Sequence, residues 1–99
     1  MPKIDIPMDT ISKFCQKWKI VEFSLFGSVL RDDFAPDSDI DVLVSFSPDA
    51  QWSLYDFVEM IEELKVIFNR DVELVEKAGL RNPFRRHAIL NNREVIYAA

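Results

Sequence analysis

Apolar residues along this chain switch between a helical and a strand period, and each switch marks a new element. Ile11, Phe14, Cys15 and Trp18 stand at i, i+3, i+4 and i+7, the spacing of one buried helical stripe, with Asp9 or Thr10 placed to cap it. Val21 to Phe26 is short, β-branched and aromatic and reads as a strand ending at Gly27. Ser28 to Arg31 starts a short helix, and Phe34 to Ser38, with Pro36, is a loop. Ile40, Val42 and Val44 then alternate with Asp39, Asp41 and Leu43, a strand with carboxylates at one end. Ser45 to Trp52, with Pro48, is a second loop. Ser53 and Asp56 make a capping-box start, with Asp in place of the usual Glu. Leu54, Phe57, Val58, Ile61, Leu64 and Phe68 carry the helical stripe that follows, to about Asn69. Asp71 to Val75 is a third strand, and Asn82-Pro83 opens a last short helix with a cap and a first-turn proline. Glu94 to Tyr97 is a candidate for a closing edge strand.

The order α-β-(short α)-β-α-β-α predicts an α/β fold of the α+β kind, a mixed sheet of three to four strands with helices packed against it. The 99 residues amount to one small domain, and an apolar fraction of 48% with eight Phe supplies a core without staples. No repeat, linker or low-complexity tract divides it. The single Cys15 excludes an internal disulfide and reads as a small buried hydrophobe. Met1-Pro2-Lys3-Ile4-Asp5 carries no signal-peptide pattern, and no apolar run approaches the ~20 residues of a membrane span, so a cytoplasmic location is expected. A formal net charge of −5 opposes direct nucleic-acid binding and suits a basic protein partner.

The chemistry lies between Gly27 and Asp41. Asp39 and Asp41 are two apart on a strand, so their carboxylates leave the same face, where they repel unless a cation lies between them. Hard oxygen ligands with room for phosphates and waters suit Mg²⁺ or Mn²⁺. Gly27 lets backbone approach a ligand, Ser28 adds a hydroxyl, and the helix start behind them offers N–H groups to an anion. A third acid on the next strand completes the set. Asp71 and Glu73 share a face there, and Glu73 is the better placed candidate. Three carboxylates can hold two metal ions about 3.5–4 Å apart across a reacting phosphorus.

Gly27-Ser28, ten residues, then Asp39-x-Asp41 resembles the signature of the DNA polymerase beta-type nucleotidyltransferase superfamily. Over nearly its whole length, residues 1–99 resemble a minimal nucleotidyltransferase domain, the antitoxin half of HEPN/minimal-nucleotidyltransferase toxin–antitoxin pairs. The resemblance implies that Gly27 and Ser28 contact the β- and γ-phosphates of ATP, with Arg31 and Ser38 in the nucleotide-binding set. It implies that Asp39, Asp41 and Glu73 hold two Mg²⁺ ions and serve catalysis. Two positions depart from the family pattern: Glu73 stands where many relatives have Asp, and Asp32 where glycine is common. The implied activity is transfer of AMP from ATP to a tyrosine of a partner HEPN ribonuclease, within a hetero-oligomer. Two other readings are a domain that neutralises its partner by binding alone, and a nucleotidyltransferase with another acceptor, such as a small molecule or nucleic acid.

Other features carry less. Arg81, Arg85, Arg86 and His87 form a basic cluster that reads as a solvated helix face, with contact to nucleotide or to an acidic patch on a partner as the functional alternative. Arg81 and His87 match the Arg-x(4–6)-His spacing of HEPN ribonucleases, but Pro83 interrupts the helix such a site needs. His87 has no Cys or His companion, which disfavours zinc. Trp52 falls in a loop, as core or as an interface anchor.

Overall fold

The structure, a computed structural model, describes residues 4–31, 35 and 37–99. The expected loop at Phe34 to Ser38 lies partly outside these residues, and the departure at Asp32 wholly so.

Helix α1 spans Met8–Lys17. It starts earlier than the Asp9 or Thr10 cap expected from the sequence. Pro7 is the N-cap, without a side-chain bond, and its carbonyl accepts from Ile11 N–H at 2.9 Å. Asp9 falls instead in the first turn, where its charge meets the positive end of the helix. Strand β1 is Ile20–Phe26, followed by one 3₁₀ turn at Gly27–Leu30, and β2 is Ile40–Phe46. Helix α2, Leu54–Phe68, has the expected capping box. Ser53 N–H donates to Asp56 Oδ2 at 2.8 Å while Ser53 Oγ accepts from Asp56 N–H at 3.3 Å, so Asp reaches the cap that Glu usually makes. Asn69 ends α2 in the left-handed conformation, φ 54°. Strand β3 is Val72–Glu76, and helix α3, Pro83–Asn91, is capped by Asn82 Oδ1 accepting from the Phe84 and Arg85 amides. The closing strand is present as β4, Arg93–Ala98.

The sheet order is β3-β2-β1-β4. β1 runs antiparallel to β2 and β4, and β3 runs parallel to β2. A parallel neighbour needs a crossover, which α2 supplies. The fold is therefore the mixed four-stranded α+β sheet that the pattern predicts.

Packing divides the sheet into two faces. Ile40, Val42 and Val44 of β2 and Phe23 and Leu25 of β1 join Ile11, Phe14 and Cys15 of α1 and Met60 and Leu64 of α2 in one core. Each fully buried side chain of this kind contributes about 1.5–3 kcal/mol. The opposite face holds a smaller cluster of Phe26, Leu43, Leu80 and Ile89, covered by α3. Burial pushes the Cys15 thiol up to about 12, so it is an inert core residue. Trp52 packs edge-on to Trp18 at 5.1 Å, and its Nε1–H donates to Trp18 O at 2.9 Å, which makes it a packing residue. No helix among the described residues is long and apolar enough to cross a membrane.

Candidate active site

Strand alternation sends Asp41 to the second face, one residue out of phase with the buried valines. Its antiparallel partner is Phe26, the last residue of β1, and its parallel partner is Glu73 of β3. Gly27 therefore turns away from β1 directly beside the Asp41 carboxylate. Its φ is +75°, and a Cβ on it would overlap Asp41 Oδ2. Only glycine satisfies both constraints. The turn behind it is closed by Arg31 N–H donating to Ser28 O at 2.9 Å and is pinned to the core by Val29, which is fully buried. A single 3₁₀ turn offers local N–H groups to an anion rather than a summed helix dipole.

The electrostatics follow from this crowding. Burial pushes the Asp41 carboxyl up to about 6, a hydrogen bond with Glu73 adds to the rise, and the charges of Glu73 and Asp39 add further, against a lowering by Arg31. Asp41 and Glu73 are paired in register on neighbouring strands, so their carboxyls crowd one another on this face. Asp39 precedes β2, is exposed, and lies near enough for its charge to act on Asp41. Asp71, the other acid near β3, turns elsewhere: its side chain is 3.7 Å from Lys65 Nζ.

Ser38 is placed differently from the phosphate turn. Its Oγ accepts from Ala35 N–H at 3.2 Å, and its own N–H donates to Ala35 O at 3.0 Å, so it holds a turn just before Asp39. Arg70 reinforces that turn, with Nη1 donating to Ala35 O at 3.1 Å and Ser38 O at 3.3 Å.

Two further arginines reach the site, Arg85 from the basic cluster and Arg93, which the sequence pattern does not announce. Arg85 of α3 sets Nη2 3.4 Å from Glu73 Oε1, so the basic cluster is not wholly a solvated helix face. Arg93 at the start of β4 pairs with Glu22 at 2.6 Å. Phe84 stands 85% exposed beside Arg85. A groove of about 530 Å³ opens next to the Gly27 turn, lined by Phe26, Gly27, Leu30, Arg31, Ile89 and Arg93 among others. An apolar floor with two arginines suits a nucleoside carrying anionic phosphates. Arg85 and Arg93 reach the site through α3 and β4, so only the fold brings them near Glu73 and Gly27.

Among the described residues no three acids already converge at metal-ligand spacing. The donor set nevertheless fits a hard divalent ion. Asp39, Asp41 and Glu73 supply only carboxylate oxygens, Asp41 and Glu73 are register partners on neighbouring strands, and the missing Cβ of Gly27 leaves Asp41 Oδ2 unobstructed. A cation held there would compete with Arg85 for the Glu73 carboxylate.

Comparison with known proteins agrees with this geometry. The nucleotidyltransferase domain family matches residues 8–96. Protein adenylyltransferase MntA of Thermococcus cleftensis is 33% identical over 82 residues, which span 83% of this chain and 78% of that protein. A crystal structure of a toxin–antitoxin with AMP-PNP superimposes with a TM-score of 0.75 at 19% identity, covering 95% of this chain and 75% of its own. The complex of a tri-AMPylated Shewanella oneidensis HEPN toxin with its MNT antitoxin superimposes with a TM-score of 0.67 at 18% identity, over 93% and 70% of the two chains. At those identities the structural likeness establishes the fold.

Proposed function

The chain belongs to the nucleotidyltransferase domain family, and from that premise we propose that it transfers AMP from ATP to a tyrosine hydroxyl of a HEPN-type toxin, acting as the antitoxin of the pair. The observation that carries the reading is the junction of Gly27 with Asp41 and Glu73. It brings the Gly27-Ser28 turn against a carboxylate pair on one face of the sheet, which supports the reading. The homologue's name supports a protein acceptor, and the toxin complexes support the partner class.

In this reading the Gly27 and Ser28 backbone receives the β- and γ-phosphates, and Arg31 balances their charge. The groove beside Arg93 takes the nucleoside. Asp39, Asp41 and Glu73 would hold Mg²⁺, or Mn²⁺, which supplies Lewis-acid stabilisation of charge at the reacting phosphorus. The tyrosine oxygen attacks the α-phosphorus. The bond to the bridging oxygen breaks, and pyrophosphate leaves from the Gly27 side. Glu73 accepts the tyrosine proton at a carboxylate oxygen. Residues 1–99 act as one domain that activates the nucleotide and takes its acceptor hydroxyl from the partner.

The ion pair of Arg85 with Glu73 favours one alternative, neutralisation by binding alone with a silent site. Co-expression of the chain with its cognate toxin, followed by intact-mass spectrometry, separates the two. Transfer adds AMP to the toxin with wild-type protein and not with Asp39→Asn/Asp41→Asn. Protection of cells by that double variant, with no added mass in the wild-type pair, would favour binding alone.

A further inference from the structure

Helix α3 crosses the carboxylate face from one end to the other. Its first turn brings Arg85 to Glu73, and its last turn lines the groove beside Gly27 through Ala88 and Ile89. The two ends of the helix therefore belong to opposite sides of Asp41. If the triphosphate occupies the Gly27 turn, pyrophosphate leaves on that side. In-line displacement then requires the attacking hydroxyl to arrive from the other, where Glu73 stands on β3. β3 is the edge of the sheet and has a strand on one side only among the described residues.

The surface on that approach has a distinct chemistry. Phe84 is 85% exposed, while Leu80 and Ile89 to either side of it in the chain are buried. The Asn82 cap fixes the Phe84 and Arg85 amides, so this turn is held in place. Arg81, Arg85, Arg86 and His87 lie within seven residues in a chain of net charge −5. Arg86 donates inward to Lys77 O at 3.1 Å, Arg81 is exposed, and Arg85, though paired with Glu73, is also exposed, so the outer surface here carries arginine. An exposed aromatic beside arginines, on an otherwise acidic molecule, is complementary to an acidic segment carrying an aromatic residue.

We propose that Arg81, Phe84 and Arg85 form the acceptor-docking ledge of this enzyme, and that the protein segment presented to it carries its tyrosine among acidic residues. This rests on the AMP-transfer reading above. The ledge selects the acceptor, whereas the Gly27 turn and its groove select the nucleotide, so the two specificities separate by position. The basic cluster offers a favourable local field for an acidic segment on a chain whose net charge is −5.

The test uses three synthetic tyrosine peptides, flanked by Glu, by Ser or by Lys, with ATP and Mg²⁺, and initial rates of AMP addition read by mass spectrometry. Wild-type protein is expected to take the Glu-flanked peptide about fivefold better in kcat/KM than the Ser-flanked one, with the Lys-flanked one poorest and the preference shrinking at high salt. Arg81→Glu should invert the order. Phe84→Ala should raise KM for the Glu-flanked peptide several-fold and leave KM for ATP unchanged. Equal rates across the three peptides, an order unchanged by Arg81→Glu, or preferential labelling of a single-stranded oligonucleotide would overturn the ledge. Transfer to none of these acceptors would overturn the ledge and the AMP-transfer reading together, whereas equal rates would remove the ledge alone.

Discussion

Adjacent residues of β2 meet opposite fates. Ile40, Val42 and Val44 point under α1 and α2 and are fully buried, while Asp41 emerges on the other face beside Glu73 and the Gly27 turn. The first face is closed by two helices, and the indole N–H of Trp18 in its core cluster is satisfied at the rim by Glu63 Oε2 at 3.2 Å. The second is closed only in part, by α3 over Phe26, Leu43, Leu80 and Ile89, and it holds its carboxylates at the open end. A strand's period of two thus assigns stability to one set of residues and chemistry to the next. A register slip of one would bury the carboxylates and expose the valines, so the core also enforces the site.

The division can be attacked from either face. The largest effect is expected from Asp41→Asn, which should cut AMP transfer by about 10³-fold or more while the far-UV circular dichroism is unchanged. Unfolding in step with the lost activity would show that the carboxylate face is structural after all. Met60→Ala, on the closed face, should cost about 2–5 kcal/mol of stability in urea unfolding, because Met60 is fully buried. Nucleotide affinity of the folded fraction should not move, and a large loss of affinity would blur the separation of faces. Gly27→Ala stands on the border. Its left-handed φ and the overlap with Asp41 should cost about 2 kcal/mol and weaken ATP binding together, read by thermal unfolding and by titration of a fluorescent nucleotide.

The smallest effect sharpens the same comparison through pH. Asp41 titrates near 6 in the fold, above its ordinary 3.8, so the fold favours its protonated form. The stability it contributes is complete below its unfolded pKa and is lost as pH rises through 6. The carboxyl is part-exposed, so the loss should be about 1 kcal/mol or less. Metal-free Asp41→Asn should therefore gain on wild type in melting temperature between pH 5 and pH 8. A gap constant across that range would mean that Asp41 is not crowded by Glu73 and Asp39.

What the sequence made legible follows the same line. The alternation of Ile40, Val42 and Val44, the stripe of α2 and the Ser53–Asp56 box are local patterns, and the structure has each of them. The Gly27-Ser28 and Asp39-x-Asp41 segments stood out by residue type and spacing, and the structure sets Gly27 against Asp41. The start of α1 was misplaced because Pro7 caps it with a main-chain carbonyl and no side-chain signal. The bonds of Arg70 to the Ser38 turn and the pairing of Arg85 with Glu73 were not foreseen because the partners lie 32–35 and 12 positions away and are chosen by packing. The groove beside Gly27 was illegible for the same reason, since residues of the 3₁₀ turn, α3 and β4 meet there only in the fold.

The central claim is that the open carboxylate face cuts ATP at the α-phosphorus and hands AMP to a tyrosine of the partner. The most direct measurement incubates chain and cognate toxin with Mg²⁺ and ATP labelled at either the α- or the γ-phosphorus, followed by gel and peptide analysis. The account predicts label on a toxin tyrosine from α-labelled ATP only, with γ-label recovered as pyrophosphate, and no label on either with Asp41→Asn. Transfer of the γ-label, or α-label undiminished by Asp41→Asn, would contradict it.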